Sequence, residues 1–106
     1  VYGNPTTLPV NEMAPCAPLS AYGYHKLMAE LLAKEYRELH GLKTTVARTF
    51  SAYGEGLRKQ VLWDLCQKCA QSSTELVVRG SPEESRDFIH ISDLCEALGT
   101  IVRTEA

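Results

Sequence analysis

Nothing in the 106 residues approaches the roughly 18-residue apolar run of a membrane-spanning helix. No basic, apolar, small-residue leader opens them either, so a cytoplasmic protein with no membrane partner is the expectation. Basic residues are few and scattered. Eleven Lys and Arg stand against thirteen Asp and Glu, a formal charge of -2, and they form no basic stripe, which argues against nucleic acid as a partner. Cysteine supplies only one close pair, Cys66-x-x-Cys69. No second pair and no His at ligand spacing accompany it, so a zinc framework lacks its other half. Val61, Leu62, Leu65, Cys66 and Cys69 fall on one stripe of an amphipathic helix, which favours thiols packed in a core over a metal site. What is left, 44% hydrophobic and 23% charged, describes an ordinary soluble chain, long enough for one domain with its own core.

Residues 4 to 20 carry Pro5, Pro9, Pro15 and Pro18 and keep no sustained period, which predicts a surface loop of the kind that usually has a function. The pattern then changes. Leu27, Met28, Leu31, Leu32, Tyr36 and Leu39 recur at helical spacing, Ser20 is an N-cap and His40-Gly41 a stop, which predicts a helix of about 20 residues. Thr44 to Phe50 is rich in β-branched residues and predicts a strand, followed by a loop over Ser51 to Leu57. A second helix is expected from Leu57 or Arg58 to Gln71. Glu75 to Val78 and Arg86 to Ile91 read as two short strands around a Gly80-Ser-Pro-Glu-Glu-Ser turn. Asp93 and Glu96 make a variant capping box ahead of a last amphipathic helix. Alternating strands and helices predict an α/β fold with parallel connectivity. Such sheets need several neighbouring strands covered on both faces. Only Thr44 to Phe50 and the tail at Val1 to Gly3 are on offer, so either the C-terminal strand pair completes the sheet or the chain belongs to something larger.

Tyr22 and Lys26 lie four residues apart at the start of the first helix, one turn apart on one face. A lysine ammonium beside a phenol favours the phenolate, and such a tyrosine can exchange a proton with a substrate hydroxyl. Spacing alone is satisfied more simply by an exposed Tyr lying beside an exposed Lys. Context adds to it. Val1-Tyr2-Gly3, Glu12, Pro18-Leu-Ser20-Ala-Tyr22-Gly23-Tyr-His-Lys26 and Glu30 resemble the central segment of the extended short-chain dehydrogenase/reductases, in the branch of nucleotide-sugar epimerases and dehydratases. Arg48-Thr-Phe50-Ser51-Ala-Tyr53-Gly54-Glu-Gly56 is similar to that family's R-x-F-N-x-Y-G-P-G, and Arg86-Asp87-Phe88-Ile89-His90-Ile91-Ser92-Asp93 to its R-D-[FY]-[IV]-H-V-x-D. Four motifs in order are far more specific than any one of them.

The resemblance implies an NAD(P)-dependent enzyme that uses NAD or NADP on a nucleotide-sugar substrate. It implies a partial Rossmann-like parallel sheet with flanking helices, plus short C-terminal strands of the substrate-binding part. Tyr22 corresponds to the general acid/base and Lys26 to its partner, which also bonds the nicotinamide ribose, so both are catalytic and cofactor-binding. Arg86 corresponds to an arginine on the substrate phosphates, a natural bidentate ligand for them. Ser51 stands where the family often has a substrate-contacting Asn and loses the amide's two-sided bonding. His90 reads as a satisfied half-buried histidine rather than a metal ligand. No G-x-G-x-x-G occurs, so the pyrophosphate cradle is missing. Residues 1–106 are therefore expected to be one fragment, the catalytic helix and substrate-binding part, with the dinucleotide-binding half outside it. Alone it is expected to be inactive and to retain no cofactor. The parent is expected to be a homodimer paired through the Ser20 to His40 helix. A dinucleotide sensor of the same fold is the competing reading, and an intact Tyr22 and Lys26 favour the enzyme.

Overall fold

A computed structural model of the chain describes residues 1–71, 75–78 and 80–105. Its elements in order are α1 (Ala21–His40), β1 (Ser51–Tyr53), α2 (Gln60–Gln71), β2 (Phe88–His90) and α3 (Ile91–Glu105). Two compact units result, one on Val1–Val46 and the other on Ala47–Thr104.

In the first unit, residues 1–20 form an irregular segment that ends at Ser20. The Ser20 side chain accepts the Gly23 N–H at 3.1 Å while its own backbone stays extended, so it satisfies one of the donors that a helix start leaves open. At the other end the Gly41 and Leu42 N–H groups turn back onto the Tyr36 carbonyl, with Gly41 in the left-handed conformation. Arg37 and His40 in the last turn complement the negative end of the helix dipole. Beyond α1, the Thr44 hydroxyl donates to the Ala33 carbonyl at 3.0 Å and ties the following segment back to the helix.

The second unit is organised by a two-stranded parallel ladder in which Ser51 pairs with Phe88, Ala52 with Ile89 and Tyr53 with His90. Gly54 lets the ladder close. A Cβ on it would fall 2.4 Å from Ile91 Cγ2, inside any real contact. β2 runs directly into α3. The Gly80 turn is held by Glu84 N–H donating to the Ser81 carbonyl at 3.1 Å and by Glu83 N–H donating to the Ser81 hydroxyl at 3.2 Å.

Several expected boundaries move. Thr44 to Phe50 is not a strand, nor are Val1 to Gly3 and 75–78, because β-branched content makes a strand only where a ladder partner exists. The pairing falls instead at Ser51–Tyr53, within the expected loop, and the expected strand from Arg86 to Ile91 is shortened to Phe88–His90. Helix α2 starts at Gln60 rather than Leu57 or Arg58, since the Leu57 N–H closes a turn onto the Gly54 carbonyl at 3.3 Å and Gln60 has φ +71°. Asp93 lies inside the first turn of α3 and does not cap it, because the strand leads straight into the helix at Ile91.

The expected core is not formed. Among the described residues no hydrophobic side chain is buried, and only Pro18 and Gly23 are. The apolar stripe of α1 is open, with Met28 63% exposed and Leu31, Leu32 and Leu39 beside it. Cys66 and Cys69, expected to pack inside, are free, exposed thiols on α2. No described helix is long and apolar enough to cross a membrane.

Candidate functional site

The first pair of candidate residues stands at the start of α1. Gly23 packs against Pro18 so closely that a Cβ would meet Pro18 Cβ at 3.0 Å, and this contact together with the Ser20 cap fixes the turn that carries Tyr22. The Tyr22 ring is 70% exposed. One turn on, Lys26 Nζ sits 5.4 Å from its centroid, a cation–π distance. A phenol and an ammonium are thus held together, both open to solvent, on the first two turns of a helix whose dipole favours negative charge there.

The second pair lies at the start of the ladder. Ser51 donates its backbone N–H to the Asp87 carbonyl at 3.1 Å, which brings it beside the residue that follows Arg86. Arg86 is exposed, and its Nη2 pairs with Glu84 Oε2 at 3.2 Å. The two pairs belong to different units of the fold.

On the ladder the Tyr53 ring meets Phe88 edge-on at 6.3 Å and His90 at 5.3 Å, so these three rings share one face. Alternation puts Ser51 on the face of Tyr53, and Ala52 and Ile89 on the other. His90 is half-buried, with its Nδ1 2.7 Å from the Ser92 hydroxyl. Tyr53 and Phe88 stand in the two motifs read from the sequence, which assigned them no role. Their grouping with His90 comes from the pairing of Ser51-x-Tyr53 with Phe88-x-His90, which the register sets. Among the described residues no three His, Cys, Asp or Glu side chains gather as a metal site would require.

The model of the NAD dependent epimerase/dehydratase family matches residues 1–106. The chain belongs to that family. Among curated proteins it is similar to the UDP-glucose 4-epimerase of Azospirillum brasilense, 32% identical over 113 residues that cover 92% of this chain and 32% of the relative. It is also 32% identical over 98 residues to a dTDP-glucose 4,6-dehydratase of an Actinoplanes strain, covering 92% of this chain and 31% of that protein. A UDP-glucuronic acid decarboxylase 1 of Danio rerio is 29% identical over 112 residues, covering 98% of this chain and 27% of the relative. The chain therefore spans between about a quarter and a third of the length of these relatives. No solved structure matches it. The helices and the parallel strand pair agree with a Rossmann-like α/β segment of such a protein.

Proposed function

We propose that this segment supplies the catalytic helix and part of the substrate site of an NAD(P)-dependent nucleotide-sugar epimerase or dehydratase. The observation that carries the reading is the pairing of Tyr22 and Lys26 at the capped start of α1. Their chemistry fits the nicotinamide ribose end of a dinucleotide: an ammonium for ribose hydroxyls and a phenol for the proton of the reacting sugar. The bound dinucleotide supplies the hydride acceptor. Tyr22 takes the proton from the sugar hydroxyl at its phenolic oxygen, and Lys26, its ammonium 5.4 Å from the ring centre, keeps positive charge near the phenol as the proton changes hands. Arg86 binds the diphosphate, exchanging its Glu84 partner for a second anion. Ser51 offers the sugar one hydroxyl donor and acceptor.

No glycine-rich pyrophosphate cradle is present in the 106 residues, so the chain by itself is inactive and retains no cofactor. The remaining, dinucleotide-binding half belongs to the longer enzyme. That enzyme is a cytoplasmic homodimer, and the open apolar stripe of α1 supports pairing through this helix. The test is Tyr22→Phe in the enzyme that carries the segment. Hydride transfer is lost while nucleotide-sugar affinity is kept, and unchanged turnover sinks the assignment.

A further inference from the structure

Helix α2 carries two cysteines that the proposed function leaves unused. Cys66 and Cys69 lie three residues apart within Gln60–Gln71, and both are free and exposed. Residues at that spacing share one face of a helix, with Cβ atoms about 5–6 Å apart. With each residue turning the helix by about 100°, the ion pair of Lys68 Nζ with Asp64 Oδ2, at 2.7 Å, falls on the opposite side. Leu62 and Leu65, each four residues before one of the thiols and half-buried, lie next to them. Asp64 is the one carboxylate of α2, and the helix holds no His. The face of the two thiols therefore presents sulfur and hydrocarbon, without an oxygen anion or an imidazole of the same helix.

Geometry separates what such a pair holds. A disulfide needs Cβ atoms about 3.8 Å apart, closer than a regular helical turn brings them. Zinc needs at least three protein ligands, and no group of three gathers among the described residues. A cation between two thiolates asks for less. Two metal–sulfur bonds of about 2.3 Å set the sulfurs up to about 4.6 Å apart, a span that side chains one turn apart reach. An all-sulfur donor pair selects a soft cation, Cu(I) among them, over the hard cations that prefer oxygen. We infer that Cys66 and Cys69 form a two-coordinate site for a soft monovalent cation, Cu(I), on the exposed face of α2. Binding forms two copper–sulfur bonds and releases two thiol protons, and neither sulfur nor copper changes oxidation state. The site does not depend on the function proposed above.

Hydrogen exchange in the enzyme that carries the segment, recorded without oxygen, tests the site before any substitution is made. One equivalent of Cu(I), supplied as its acetonitrile complex, is expected to slow amide exchange across residues 66–69 by about tenfold or more, because the cation binds only the formed turn. Zn2+ at the same concentration leaves that turn unchanged. Cys66→Ser and Cys69→Ser each lose the Cu(I) effect, and Cys95→Ser keeps it. Lys68→Cys combined with Cys69→Ala retains two thiols but sets them two residues apart, where side chains do not face each other, and loses the effect as well. Unchanged exchange with Cu(I), equal slowing by Zn2+, or slowing that survives in either serine variant or in the double variant overturns the site. The exchange measurement involves neither dinucleotide nor sugar, so its outcome stands apart from that of Tyr22→Phe.

Discussion

The ammonium of Lys26 lies 5.4 Å from the centre of the Tyr22 ring, one turn further along α1. At an exposed site a cation over an aromatic face contributes only about 0.5–1 kcal/mol. The contact is therefore a poor reason for a fold to hold these side chains together and a good way to keep a charge near a phenol.

Lys26→Met separates the two roles. Lys and Met have similar helix propensities, so the stability of α1 is expected to change by less than about 1 kcal/mol. In the enzyme that carries the segment, kcat is expected to fall by about 100-fold or more, the usual scale for disabling an acid–base group. Thermal unfolding and steady-state kinetics on the same preparation measure both. A kcat within twofold of the parent removes Lys26 from the chemistry.

Ser20→Ala tests how Tyr22 is held. The Ser20 hydroxyl accepts the Gly23 N–H at 3.1 Å, and Tyr22 lies between those two residues. Losing such a cap costs about 1 kcal/mol. Faster hydrogen exchange is expected at Gly23 and its neighbours in the first turn of α1, with the last turn unchanged. Uniform exchange along the helix in both proteins contradicts the capping role.

What the sequence made legible follows the range of the forces involved. Helix α1 is bounded by Ser20 and Gly41 as expected, because capping is decided by the residues at the cap and one turn away. The strand expected at Thr44 to Phe50 fails for the opposite reason. β-branched side chains describe a surface that can be paired, whereas the partner of Ser51 is Phe88, far along the chain and invisible to local pattern. Asp93 shows a third case, a sound local capping signal overridden because β2 enters α3 without a loop. The candidate site divides the same way. Tyr22 and Lys26 were readable from one turn of helix, while the grouping of Ser51, Tyr53 and His90 on one face depends on a register that only pairing sets.

Arg86 already has an anion in hand. Its pair with Glu84 is exposed on both sides and adds little to stability, about 0–1 kcal/mol. Arg86→Ala is expected to raise KM for the nucleotide sugar with a smaller effect on kcat, as loss of uniform binding does. Glu84→Gln, which removes the competing charge, is expected to lower KM. Calorimetric titration with the substrate checks the same order of affinities, and an unchanged KM in Arg86→Ala returns the residue to a plain surface charge.

The close approach of Gly54 to Ile91 gives the sharpest structural test. A methyl group at position 54 would meet Ile91 Cγ2 at 2.4 Å, so Gly54→Ala must push the end of β1 away from the β2–α3 junction. Overpacking of this kind costs about 1–3 kcal/mol. The loss is expected to fall on the ladder, with faster exchange at the Ser51 N–H, which is bonded to the Asp87 carbonyl. Ile91→Ala removes Cγ2 and is expected to be destabilising by itself, yet to recover part of the loss when combined with Gly54→Ala. A double-mutant cycle measures that recovery as a coupling of about 0.5–3 kcal/mol between residues in contact. Strict additivity means that the two residues do not meet.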